Sequence, residues 1–156
     1  MISFKVLNEN DLELMPEYKT EASAAADLMS AENKIIKAGS QDIVKTGIYI
    51  DKVDWSKVPE GTIPELQVRA RSGLAFKNGI TLTNAVGTID ADYPGEICVL
   101  IWNTSNEDFE VKRGDRIAQL LLNLVHRLTE LNVGGKRLGG FGSTGVTQTN
   151  PSEATL

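Results

Sequence analysis

Residues 117–125 separate their side chains with period two. Ala118, Leu120, Leu122 and Leu124 form one wholly apolar face, and Ile117, Gln119, Leu121, Asn123 and Val125 form the other. That spacing reads as an extended strand. Gln119 and Asn123 are polar residues on an otherwise apolar face, so they need partners there. Residues 65–70 alternate as cleanly, with Leu66, Val68 and Ala70 on one side and Glu65, Gln67 and Arg69 on the other. Residues 2–7, 41–50 (interrupted by Gly47) and 80–83 read as further strands. Residues 97–102 are apolar on both faces, which predicts cover on both sides. Helical signals are weak, limited to a turn over 11–15 and a short helix over 72–76. Many short strands between glycine turns predict an all-β sandwich, jelly roll or barrel.

No repeat and no internal boundary divides the chain. Composition changes after Leu131: residues 134–145 are glycine-rich and 146–156 polar. The expectation is a β core over 1–132, a flexible glycine-rich arm over 133–145 and a disordered tail over 146–156.

The 156 residues suffice for one domain with a real core. Net charge is -5, which provides no general attraction for a polyanion and argues against a nucleic-acid partner. A small anionic substrate would need local cations or a metal. Cys98 is the single cysteine and falls in an apolar run, so a buried, inert thiol in a reducing, cytoplasmic setting is expected. Residues 1–19 lack the continuous apolar stretch of a signal peptide, and no run is long enough to span a membrane. His126 is the single histidine and reads as a surface or structural residue; Trp102 and Tyr49 read as core.

Several segments could carry chemistry. Ala24-Ala25-Ala26-Asp27-Leu28 allows close backbone approach and ends in an acid, which a packed strand with a surface acid also explains. Arg71-Ser72-Gly73 follows a strand and opens a helix, a place where free N–H groups, a hydroxyl and a guanidinium suit a phosphate; an ordinary helix cap would look the same. Residues 84–95 read as a long hairpin that crowds Asp90, Asp92 and Tyr93 with Asn84, and Pro94-Gly95 suits the centre of a type II turn. Two nearby carboxylates suit metal or general-base chemistry, or a solvated turn. Gly114-Asp115 reads as a turn in which Asp115 pairs with an arginine. The run Gly139-Gly140-Phe141-Gly142-Ser143-Thr144-Gly145 could be a linker. An aromatic with two hydroxyls also suits a lid that stacks on a base and wraps phosphates.

In this order the segments resemble the sequence motifs of the trimeric dUTPase family, over residues 24–145. The most specific are Gly87-Thr88-Ile89-Asp90-Ala91-Asp92-Tyr93-Pro94-Gly95, Gly114-Asp115-Arg116-Ile117-Ala118-Gln119-Leu120 and the glycine–phenylalanine arm. The resemblance implies a β jelly roll assembled as a homotrimer, with active sites between subunits. It implies hydrolysis of dUTP to dUMP and pyrophosphate, which limits uracil in DNA and supplies dUMP for dTMP synthesis. Asp90 would be the base that activates water for attack on the α-phosphorus. Tyr93 would pack under the deoxyribose. Asn84, with the hairpin backbone at Gly87, Thr88 and Ile89, would read uracil and exclude a 5-methyl group. Arg71, Ser72, Gly73 and Gln119 would hold phosphates, joined by Ser143, Thr144 and the arm's N–H groups around Gly142. Phe141 would stack on the base. Mg²⁺ would bridge the triphosphate oxygens, reached by Asp27 through water.

The chain departs from the family pattern in places. The arm arginine five residues before the phenylalanine is Lys136 here, with Arg137 next, so either could meet phosphate; lysine lacks arginine's forked geometry. Ala70 stands where proline is common. Residues 51–63, with Trp55, look longer than usual and read as a surface loop. A dCTP deaminase, similar in fold and motif order, would carry a glutamate where this chain has Leu100. A dUTPase-like trimer acting mainly as a protein-binding regulator is the alternative from another class, with 51–63 the place to look.

Overall fold

The computed structural model describes residues 1–128; the arm and tail expected at 133–156 lie outside them. Eleven strands carry the fold: β1 Ile2–Val6, β2 Ala26–Met29, β3 Lys34–Ile36, β4 Gln41–Val44, β5 Ile48–Val53, β6 Thr62–Ala70, β7 Ile80–Leu82, β8 Gly87–Asp90, β9 Val99–Asn103, β10 Phe109–Val111 and β11 Arg116–His126. Among the described residues one α-helix, α1, spans Ser72–Asn78, and 3₁₀ turns occupy Glu9–Leu14 and Trp55–Lys57. No helix among the described residues is long and apolar enough to cross a membrane.

The strands pair antiparallel into a four-stranded sheet, β2-β11-β6-β8, a three-stranded sheet, β4-β9-β7, and the pairs β1-β5 and β3-β10. Inward residues of the two larger sheets, among them Leu66, Val68, Leu120, Val99 and Ile101, meet in one core and give an all-β jelly roll. Each such buried side chain contributes about 1.5–3 kcal/mol relative to exposure.

The long alternating strand is central, with β2 on one side and β6 on the other. Its register shifts between Arg116 and Ala118, so Ile117 and Ala118 are both buried where strict alternation would separate them. Asn123 finds its partner on the outer face, donating to Glu65 Oε1 at 3.1 Å.

Several sequence expectations are corrected. Among the described residues, strand β9 is covered on one face only: Val99 and Ile101 are fully buried, while Trp102 is 45% exposed and not core. Its alternate side chains point away from that core, toward a side where the described residues form no further layer. Residues 84–95 are not a simple hairpin. Strands β7 and β9 pair directly, and the chain between them leaves their sheet to add β8 to the edge of the other. Residues 51–63 are only partly loop, being the end of β5, a 3₁₀ turn and the start of β6. The Asp115 carboxylate accepts the Lys112 N–H at 2.8 Å and closes its own turn. The neighbouring Arg113 pairs with Asp11 at 2.8 Å and Arg116 with Asp27 at 3.1 Å. His126 places Nδ1 3.0 Å from the Gly61 carbonyl, a structural contact.

Candidate functional site

One group of side chains gathers where β2, β11 and the β6–α1 junction meet. Asp27, expected as a surface acid if structural, is 5% exposed. Its Oδ2 lies 3.1 Å from Arg116 Nη1 and its Oδ1 3.6 Å from Arg71 Nε. Arg71 Nη1 also donates to the Arg116 carbonyl at 2.7 Å. The acid thus sits beneath two guanidiniums whose outer edges face solvent. A guanidinium carries five N–H donors, more than these contacts occupy. Arg71 takes the N-cap position of α1 without a side-chain cap bond, so Ser72 is the first helical residue and not the cap. Ser72 and Gly73 are exposed in that first turn. A Cβ on Gly73 would meet nothing within 4 Å among the described residues, so their packing does not require glycine there. Gln119 stands between Asp27 and Arg69 in the pairing of β2, β11 and β6.

A second group surrounds β8. Gly87, Thr88, Ile89 and Asp90 oppose Val68, Gln67, Leu66 and Glu65 of β6. Asp90 is exposed at the strand end, and the Tyr93 N–H donates back to its carbonyl at 3.0 Å. A Cβ on Gly87 would lie 3.2 Å from Asn84 Nδ2 and 3.3 Å from Val68 Cβ, so glycine lets the Asn84 amide lie over the strand. Gly95 has no positive φ, which rules out the type II turn expected at Pro94-Gly95. The absent side chain serves Tyr93 instead: a Cβ there would come within 2.6 Å of the Tyr93 hydroxyl. Beside this group, burial first and then the Glu96 carboxylate push the Tyr49 hydroxyl above its ordinary range, so it remains a donor.

The two groups share one face of the four-stranded sheet, at opposite edges. Asp27, Gln119 and Arg69 form one cross-strand row; Asp90, Glu65 and Asn123 form another, four residues further along β6. Three strand spacings across and four residues along separate Asp27 from Asp90 by ~20 Å. Within one chain the structure does not bring them together. Lys136, Arg137, Phe141, Gly142, Ser143 and Thr144 lie outside the described residues. Among the described residues no cluster of three or more His, Cys, Asp or Glu could hold a metal. Asp27, engaged by two arginines, fits an ion that arrives with its own phosphate and water ligands better than one caged by protein. Sequence reading gave Arg116 and Glu96 no role. Both act through cross-strand partners distant in sequence, a relation that no local motif exposes.

The dUTPase family model matches residues 13–145. A deoxyuridine 5'-triphosphate nucleotidohydrolase of Zymomonas mobilis is 46% identical, covering 84% of this chain and 88% of the relative. One from Nautilia profundicola is 42% identical over 92% of this chain and 99% of the relative. A solved dUTPase from Streptococcus mutans superposes with a TM-score of 0.63 at 28% identity, over 85% of this chain and 98% of that one. A dUTPase from phage phi11 of S. aureus, described with a structural Mg(II) ion, has a TM-score of 0.68 at 22% identity, over 86% of this chain and 97% of that one, a likeness of fold.

Proposed function

The chain belongs to the dUTPase family, and from that premise we propose that it hydrolyses dUTP to dUMP and pyrophosphate at sites shared between subunits of a homotrimer. The observation that carries this reading is the separation of Asp27, with its two arginines, from Asp90 at opposite edges of one sheet. A base and a phosphate clamp ~20 Å apart cannot serve one α-phosphorus within one chain. A second copy that brings its own β2–β11 edge against β8 completes the site, and cyclic symmetry repeats it around the ring.

At the β8 edge, ionised Asp90 takes a proton from a water as that water attacks the α-phosphorus in line, and pyrophosphate leaves. Asn84 and the backbone of Gly87, Thr88 and Ile89 read the uracil edge. Tyr93 forms the floor under the deoxyribose, where a 2′-hydroxyl would clash. Shape combined with unmet hydrogen bonds gives strong discrimination. At the other edge Arg71, Ser72, Gly73 and Gln119 hold the phosphates, with Arg116 beside them. Open space at Gly73 supports close approach of a phosphate to the backbone. Asp27 would hold Mg²⁺, and the ion would supply charge neutralisation on the triphosphate. Residues 133–145 contribute Phe141, Gly142, Ser143 and Thr144 from a third copy's arm or the same copy's, with Lys136 or Arg137 toward phosphate.

Leu100, where a deaminase would carry glutamate, faces out of the three-stranded sheet opposite Ile43, and leucine relays no proton. Pyrophosphate release measured separately from dUTP, UTP, dTTP and dCTP with Mg²⁺ tests the reading. Release from dUTP alone is expected. A folded protein that releases none from any of them overturns it.

A further inference from the structure

The residues that flank Tyr93 do more than complete a turn. The Tyr93 ring lies against the α-carbon of Gly95, close enough that a Cβ there would stand 2.8 Å from Cζ and 2.6 Å from the hydroxyl oxygen. The Tyr93 hydroxyl donates to the Glu96 carbonyl at 3.3 Å. Glu96 is itself fixed from outside the 84–95 segment. Its Oε1 accepts the Gly47 N–H at 2.7 Å, and its Oε2 lies 3.5 Å from the Tyr49 hydroxyl, which donates to it. The neighbouring peptide is held as well, since the Ile97 N–H donates to the Ile48 carbonyl at 2.8 Å. A continuous path therefore runs from the start of β5, through the Glu96 side chain and backbone, to the Tyr93 ring.

This path needs a side chain at 96 that accepts the Gly47 N–H and reaches the Tyr49 hydroxyl. Pairing of Tyr49 with Glu96 through the backbone would hold the strand ends together with any residue at 96. The carboxylate adds a charge-assisted bond to a backbone N–H, stronger than a neutral one. It removes the freedom of residue 96 to rotate, and with it the freedom of the carbonyl that Tyr93 grips.

We propose that Glu96, with Gly95 and Tyr49, forms a clamp that positions the Tyr93 ring and thereby sets how strictly the site excludes a ribose 2′-hydroxyl. The inference rests on the reading of Tyr93 as the floor under the deoxyribose. Neither Glu96 nor Tyr49 needs to touch the nucleotide. They are positioning residues, and a shift of about 1 Å in a group that defines substrate geometry is enough to cost large factors in rate.

The test compares kcat/KM for dUTP and UTP in the full-length protein and in Glu96→Ala, Glu96→Gln, Tyr49→Phe and Gly95→Ala. The glutamine keeps an acceptor for the Gly47 N–H, so a ratio of dUTP to UTP close to the parent's is expected. The alanine at 96 should lower that ratio by about tenfold or more, through a higher KM for dUTP and a gain with UTP. Gly95→Ala, which displaces the ring directly, should move it the same way. Tyr49→Phe loses one hydroxyl, leaves the core intact and should give a smaller change of the same sign, so the proposal stays testable if Glu96→Ala misfolds. A folded Glu96→Ala with an unchanged ratio, or with both nucleotides slowed equally, overturns the clamp. A parent that turns over neither nucleotide defeats the reading of function instead. The clamp is then judged by the flip rate of the Tyr93 ring in ¹³C-tyrosine NMR, expected to rise in Glu96→Ala and contradicted if it does not.

Discussion

Asp27 and Asp90 occupy the two outermost strands of one four-stranded sheet, on the same face, with β11 and β6 between them. If each site takes its base from one copy and its phosphate clamp from another, two inactive variants can repair each other. Asp90→Asn alone and Arg71→Ala alone should each lose nearly all turnover. Refolded together in equal amounts, they should recover about a quarter of the parental sites by random assortment. No recovery in mixed oligomers confirmed by mass spectrometry would place both groups in the same site of one chain.

Gly73 separates stability from activity. The described residues leave open space where its Cβ would be, and the residue lies in the first turn of α1. Gly73→Ala should therefore keep or slightly raise the melting temperature, by an amount equivalent to less than about 1 kcal/mol. It should lower kcat/KM for dUTP by about tenfold or more, because the methyl occupies the phosphate's approach. Equal loss of stability and activity would mean that the glycine serves the fold.

Asp27 is a buried acid between two guanidiniums, so removal of its charge takes from both the counter-charge they share. Asp27→Asn should destabilise the protein by about 1–3 kcal/mol in urea denaturation, less than a fully buried pair because Arg116 is 45% exposed on its side chain. Dependence of turnover on Mg²⁺ concentration should shift in the same variant if the acid also reaches the ion. An unchanged Mg²⁺ midpoint would leave Asp27 only its arginines.

Burial, reinforced by the Glu96 carboxylate, pushes the Cys98 thiol from 9.0 up to about 11. The folded state holds that proton more tightly than the unfolded chain does. Its contribution to stability is therefore whole below pH 9 and is lost as pH rises through about 11. Iodoacetamide at pH 8 should label Cys98 in the native protein about 100-fold more slowly than in urea, from the smaller thiolate fraction alone. Comparable rates in the two states would show a thiol that solvent and reagent reach freely.

The strands with clean alternation, 65–70 and 117–125, were legible because period-two patterning is a local property of an extended backbone. Short strands such as β3 and β8 were not, since three or four residues carry too little periodicity to stand out from a loop. Tyr93, Asp90, Arg71 and Gln119 were legible as motif members. Arg116 and Glu96 were not, because what gives them meaning is Asp27, Gly47 and Tyr49, residues 47–89 positions away in the chain.

The amino-acid sequence by itself determined the β class and the family, because these reside in local pattern and motif order. Tertiary structure alone decided that the glycine at 95 serves a tyrosine ring, that an acid in an alanine-rich strand is buried under two arginines, and that Asp27 and Asp90 stand ~20 Å apart. Those relations depend on which strands pair and in what register. Register is settled by the simultaneous burial of side chains from distant parts of the chain, an interaction that no single segment contains.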